Sequence, residues 1–246
     1  MGLKNFLESF FKGRLHKVKK KPGEENATSA QHHNTVAGLC VKFGEGKDGK
    51  GEFVMFGKTA CLRQDGFSNE SWAHFLELEP LPGITELIHK CIKIEVDHIT
   101  EAQAFLEAMK ATQRGRGTGP GVVYTIDAVN FIATVINGQD NAQLVTKEYN
   151  RTKGALFTKV LAGEKSHTDI PLLMKDDLRT AMENMLSSLT QDGMMKEEGK
   201  FIKVDVFLGT GEDKVTLNGV ELVHLVFQSV VAMLEIDVKA MATVEG

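Results

Sequence analysis

The sequence predicts an α+β domain: a twisted, mainly antiparallel sheet with flanking helices. Three observations lead there. Cys91–Asp97 and Phe201–Leu208 alternate apolar and polar residues, the two-residue period of a strand. Thr100 with Gln103, and Asp169 with Pro171, mark the starts of two helices. Asn137-Gly138, at the end of the β-rich stretch Val122–Ile136, is a hairpin signal.

The elements follow in order. Leu3, Phe6, Leu7, Phe10 and Phe11 form an apolar stripe at helical spacing, with Lys4, Lys12 and Arg14 off it. Pro22 ends that helix, and residues 22–35 are polar and turn-forming. Thr35–Phe43 and Gly51–Leu62 read as extended runs joined by GEGKDGKG. In Cys91–Asp97, Ile92, Ile94 and Val96 share one face, and Lys93, Glu95 and Asp97 the other. The Thr100 helix runs to about Arg114. Beyond Asn137-Gly138, Gln143–Leu161 reads as the return strand of a long hairpin. The second helix carries Leu172, Leu173, Leu178, Met182, Met185, Leu186 and Leu189 as its stripe, with Gly193 as its stop. Val215–Val238 is apolar on nearly every side and reads as buried strand, with helix over 220–234 as the alternative. The domain spans 22–238, with residues 1–21 as its basic leading helix and arm and 239–246 as a short tail.

Charge carries the first functional clue. The 246 residues hold 29 Lys and Arg against 33 Asp and Glu, a net charge of -4. Residues 1–21 alone carry seven bases (Lys4, Lys12, Arg14, Lys17, Lys19, Lys20, Lys21) and one acid, Glu8, for +6. The rest holds 22 bases and 32 acids, or -10. A basic arm on an acidic body points to an anionic partner, membrane or nucleic acid. The acidic body argues against a nucleic-acid coat, which is basic over a broad face. Fourteen Phe against two Tyr and one Trp lean the same way, because Phe lacks the polar handle used at wet stacking sites. Phe6, Phe10 and Phe11 beside lysines suit a helix lying on an anionic bilayer; docking of that helix on the body's own core is the other reading.

Other chemistry finds little support. Gly44, Gly46 and Gly49 match G-x-G-x-x-G, but a strand follows where a phosphate site needs a helix. The histidines lack metal-ligand spacing, and no nucleophile elbow is present. No catalytic residue, metal or cofactor is assigned, and the chain is not expected to be an enzyme. No apolar run reaches the ~18 residues of a spanning helix. The N-terminus does not read as a signal peptide, so an intracellular protein is expected. The three cysteines, Cys40, Cys61 and Cys91, are too few for a disulfide framework, and the odd count leaves one unpaired within the chain. A strand of ~9–11 residues crosses a bilayer, so the long hairpin Val122–Leu161 is a candidate for insertion. Lys147, Glu148, Arg151 and Lys153 would then face a wet lumen.

Several segments resemble the pore-forming N-terminal domain of the gasdermin family. After the basic, Phe-containing opening, LCVKFGEGKDGKGEFVMFGKTACL is similar to the family's first strand pair and its basic, aromatic loop. IKIEVDHITEAQAFLEAM resembles the strand, turn and helix that follow. QRGRGTGPGVVYTIDAVNF resembles the loop and long strand of an inserting hairpin, and KVTLNGVELVHLVF the final strand region. The likeness follows the order of the chain except over 63–90 and 165–200.

It implies a monomer, cytoplasmic when inactive, that binds acidic lipids, oligomerises and inserts two hairpins per subunit at the cell membrane in cell death or innate defence. Lys200–Val238 or the region before residue 97 would supply the second hairpin. The arm's seven bases with Phe6, Phe10 and Phe11 would make the first lipid contact, and Lys47, Lys50 and Phe53 a second. The sequence leaves no room for the C-terminal inhibitory domain of vertebrate relatives. Control then falls to trimming of the tail, a regulatory partner, or an inhibitory dimer linked through Cys40, Cys61 or Cys91 and released by reduction. The alternatives are a matrix-like structural protein that binds membrane or nucleic acid without making holes, and an enzyme with an unrecognised site.

Overall fold

A computed structural model describes residues 39–43, 52–56, 62, 94–115, 121–190, 196–197, 200–209 and 213–238. Nine strands and five α-helices lie among them. In chain order they are β1 (Leu39–Phe43), β2 (Glu52–Phe56), β3 (Ile94–His98), α1 (Ala102–Gln113), β4 (Val122–Thr125), α2 (Ile126–Ile136), β5 (Ala142–Thr146), α3 (Lys147–Leu161), α4 (Leu172–Thr190), β6 (Lys196–Glu197), β7 (Lys200–Phe201), β8 (Lys203–Leu208), β9 (Asp213–Asn218) and α5 (Gly219–Leu234). The class is α+β. Five strands form a mixed sheet in the order β2-β1-β4-β8-β9. Three of its ladders are antiparallel, whereas β1 and β4 run parallel, with Val41 opposite Tyr124. β3 and β5 pair separately, and β6 and β7 form a small ladder of their own.

The expected hairpin Val122–Leu161 is not a hairpin. β4 lasts four residues and then turns into α2, and β5 lasts five and turns into α3. The strands pair with different partners, β4 with β1 and β8, β5 with β3. At each junction the last strand residue caps the helix. Thr125 Oγ1 accepts from Ala128 N at 3.2 Å, and Thr146 Oγ1 accepts from Tyr149 N at 3.2 Å. α2 is mostly buried and mostly apolar. The few polar residues on one face, Asp127, Asn130 and Thr134, barely mark its helical period, and the run also suits a buried strand. Asn137-Gly138 closes α2 rather than turning a hairpin. Gly138 has a φ of -76°, whereas the tight hairpin turn demands positive φ at both central residues.

Val215–Val238 likewise divides into strand and helix at a cap, which bears out the alternative reading over 220–234. Asn218 Oδ1 accepts from Glu221 N at 2.9 Å, and Glu221 Oε2 accepts from Asn218 N at 2.7 Å, a reciprocal capping box. Glu235, at a φ of 47°, ends α5 in the left-handed region. The expected box at Thr100 does not form. Glu101 precedes α1 instead, and Gln103 Nε2 donates to Gly154 O at 3.1 Å. Asp169 caps a short turn at His167–Asp169 together with Ser166, and α4 begins only after Pro171. β3 also departs from simple alternation, for both Val96 and Asp97 are buried.

α1, α2 and α5 pack on the five-stranded sheet, and α4 lies against α5. β8 keeps its predicted pattern, with Val204 and Val206 in the core and Ile202 and Leu208 packed against it. Phe105 of α1 meets Phe227 of α5 with ring centroids 5.3 Å apart, a tilted aromatic pair. Phe131 of α2 lies against the backbone of Gly219 so closely that a Cβ there would stand 2.2 Å from its ring. Only glycine fits at that start of α5. Gly219→Ala is therefore expected to destabilise the fold by about 1–3 kcal/mol through overpacking. Urea denaturation monitored by circular dichroism checks this, and Val220→Ala serves as the control on the next residue.

Candidate functional site

The chemically densest region among the described residues lies where α3 crosses β3. Tyr149, Lys153 and Phe157 sit four residues apart and so share one face of α3. That face is inward. Lys153 is 2% exposed and Phe157 is fully buried. The Lys153 ammonium donates to Asp97 Oδ2 at 2.5 Å, to His98 O, and to Ile99 O at 3.3 Å, and its ion pair with Glu101 Oε1 measures 3.4 Å. Burial pushes the Asp97 carboxyl above its ordinary range, and the Lys153 charge opposes that shift. The same acids act on Tyr149. Its hydroxyl is pushed up by burial, then by Asp177, Asp97 and Glu101.

The neighbouring turn is held as tightly. Asn141, fully buried, accepts from Thr100 N at 2.7 Å through its side-chain oxygen. Its amide donates to Thr100 O at 3.1 Å and Ile136 O at 2.8 Å. The Asn137 amide donates to Leu62 O at 2.7 Å, and its oxygen is 2.9 Å from His98 Nε2. An ammonium has three protons, and Lys153 meets carboxylate and carbonyl oxygens with all of them. A group enclosed in this way holds elements together rather than meeting a substrate. Among the described residues, no group of three or more His, Cys, Asp and Glu can hold a metal ion.

Two surface features stand apart from this latch. Leu172 and Leu173, expected on the core stripe of α4, are 80% and 79% exposed, while Leu178, Met182, Met185, Leu186 and Leu189 are buried as predicted. At the other end of α4 a half-open apolar hollow of about 130 Å³ is lined by residues that include Val135, Gly138, Met185 and Leu189. Neither the leucine knob nor the Lys153 latch was identified from the sequence.

The sequence-predicted lipid-contact residues Lys4, Phe6, Phe10, Phe11, Lys12, Arg14, Lys17, Lys19, Lys20, Lys21, Lys47 and Lys50 lie outside the described residues, as do Cys61 and Cys91. Phe53 and Cys40 are placed by backbone alone, on β2 opposite Lys42 and on β1 opposite Met55. No helix among the described residues is long and apolar enough to cross a membrane. No protein-family model matches the sequence, and no curated protein or solved structure matches it either.

Lys153→Met tests the latch. It removes the ammonium against which Asp97 is buried, so a loss of about 3–5 kcal/mol at neutral pH is expected. Burial already holds the Asp97 carboxyl above its ordinary range, and loss of the opposing Lys153 charge raises it further. Stability is favoured below the unfolded pKa and falls as pH rises through the folded value, so the deficit against wild type shrinks on acidification. Urea melts of both proteins at neutral and mildly acidic pH read it directly.

Proposed function

We propose that this protein is a non-catalytic, matrix-like structural protein that docks peripherally on anionic membranes through its basic N-terminal segment. The observation that carries the reading is the charge split, +6 over residues 1–21 against -10 over the remainder. Each basic residue close to an acidic bilayer contributes about 1 kcal/mol, so seven together give firm but salt-sensitive attachment. The acidic body is repelled by the same surface, which leaves it standing off the lipid while the segment holds it there. The folded body supports a peripheral role. Insertion of Val122–Leu161, as in the gasdermin-like reading, would require α2 and α3 to unwind. Unwinding α2 would draw Val129, Ile132 and Ile136 out of the core.

Vesicle co-sedimentation with parallel dye release separates the readings. The protein is expected to bind phosphatidylserine vesicles, to ignore phosphatidylcholine vesicles, and to release no dye. Reversing Lys17, Lys19, Lys20 and Lys21 to Glu removes at least about 4 kcal/mol, a loss of roughly a thousand-fold in partitioning. Phosphatidylserine-dependent dye release would instead establish the pore-forming reading. Binding to RNA or DNA with a steep salt slope, and none to vesicles, would establish a nucleic-acid coat.

A further inference from the structure

We propose that residues 97–101 are a preformed binding site for a primary alkylammonium group, in which the Lys153 side chain is a tethered occupant. Four oxygens from that short stretch converge on one nitrogen. They are Asp97 Oδ2 at 2.5 Å, His98 O, Ile99 O at 3.3 Å and Glu101 Oε1 at 3.4 Å. All four come from outside α3, which contributes only the cation. With Lys153 2% exposed, these oxygens stand in for the water that the ammonium has lost.

The cradle is built without the lysine. Ile99 N donates to Asn141 O at 2.8 Å, and the Asn141 side chain holds the N–H and the carbonyl of Thr100 at 2.7 and 3.1 Å. The β3–β5 ladder fixes the chain as far as His98, which lies opposite Ala142. From β5, Gln143 Nε2 donates to Asp97 Oδ2 at 3.4 Å and orients that carboxylate. Glu101 leads into α1, and its carbonyl accepts from Ala104 N at 2.9 Å. None of these bonds involves α3, so the oxygens keep their places when the lysine is shortened. Ligand groups ordered in advance bind without a further ordering cost.

The donor set selects the ligand. A primary ammonium carries three N–H donors around one point, which suits carboxylates and carbonyls closing on one position. A guanidinium spreads its donors over a planar fork, and a quaternary ammonium has none to offer. Calcium takes about six to eight oxygens, more than the four gathered here. Tyr149 stands one turn before Lys153 on the same face and is 39% exposed, so solvent lies close to the site on that side. The site does not depend on membrane binding.

Lys153→Ala removes the side chain beyond Cβ, and ethylammonium is the probe for the space it leaves. Urea denaturation of the full chain, followed by circular dichroism, reads the result. Lys153→Ala is expected to fall below wild type and to regain stability with added ethylammonium, the gain rising with the logarithm of concentration beyond half-saturation. Where Lys153→Ala does not fold in buffer alone, the same titration is expected to refold it. Tetramethylammonium at equal ionic strength is expected to restore nothing. Lys153→Met, whose side chain fills the space, and Asp97→Asn/Lys153→Ala, which lacks the carboxylate, are expected to gain no more from ethylammonium than wild type does. Absence of recovery in Lys153→Ala overturns the proposal. Equal recovery with tetramethylammonium overturns it as a general salt effect, and equal recovery with calcium chloride overturns it in favour of a metal site. Recovery that persists in Lys153→Met or in Asp97→Asn/Lys153→Ala also overturns it, because ethylammonium then binds elsewhere.

Discussion

The short turn from His98 to Glu101 is the joint on which the described body depends, and the Lys153 ammonium is the group that closes it. The side chain comes from α3 and takes oxygens from the end of β3 and from the turn beyond it, with Glu101 at the threshold of α1 beside it. From the other side, Asn141 clamps Thr100 to the end of α2. The β3–α1 stretch and the α2–α3 stretch, 41 to 56 residues apart at these bonds, therefore meet through two side chains. A buried ion pair is a poor source of net stability, because desolvation offsets most of its attraction. Its effect here is on specificity. A shifted register of α3 would strand the ammonium away from its oxygens, so the latch admits one arrangement.

The rest of the body repeats a second device: a strand whose last residue caps the next helix. It occurs at Thr125, Thr146 and Asn218. The cap residue stays in extended geometry while its side chain receives the helix's first amides, so the chain turns with no loop at all. Thr125 adds a tie across the sheet by donating to Asp205 O at 2.7 Å. Such sharp junctions bring α2 and α5 back over the sheet, where Phe131 can press on Gly219. They also account for short strands of four to six residues at β4, β5 and β9.

The class and strand β8 were legible because alternate residues of that strand, Val204 and Val206, meet the core. The helices α2, α3 and α5 were not read correctly as first choices. α2 and α5 bury residues around most of their circumference. Their few polar residues at helical spacing, Asp127, Asn130 and Thr134 in α2 and Glu221, His224 and Gln228 in α5, stand out little from apolar runs that also suit a buried strand. The signal that does mark them is local: Thr or Asn at a strand end, followed by an acid within three residues, as in Thr125-Ile-Asp127, Thr146-Lys-Glu148 and Asn218-Gly-Val-Glu221. Lys153 looked like a wet residue of a strand because its burial depends on helical spacing from Tyr149 and Phe157. The partnership of β3 with β5 joins segments too far apart in sequence for any local pattern to record. Leu172 and Leu173 fit the stripe of α4 by spacing, yet the turn anchored by Ile170 starts the helix with both side chains outside the core.

Two readings of the anionic partner now make opposite demands on the same residues. A peripheral structural protein keeps α2 and α3 folded on the lipid, whereas a pore former converts that segment into membrane-crossing strands. Hydrogen–deuterium exchange of the full chain, free and bound to phosphatidylserine vesicles, follows residues 126–136 and 147–161 through that choice. The account predicts that amide protection over both helices is the same in the two states, with new protection confined to residues 1–21. Loss of helical protection over 126–136 and 147–161 on binding, replaced by slow exchange across the whole of 122–161, would contradict it.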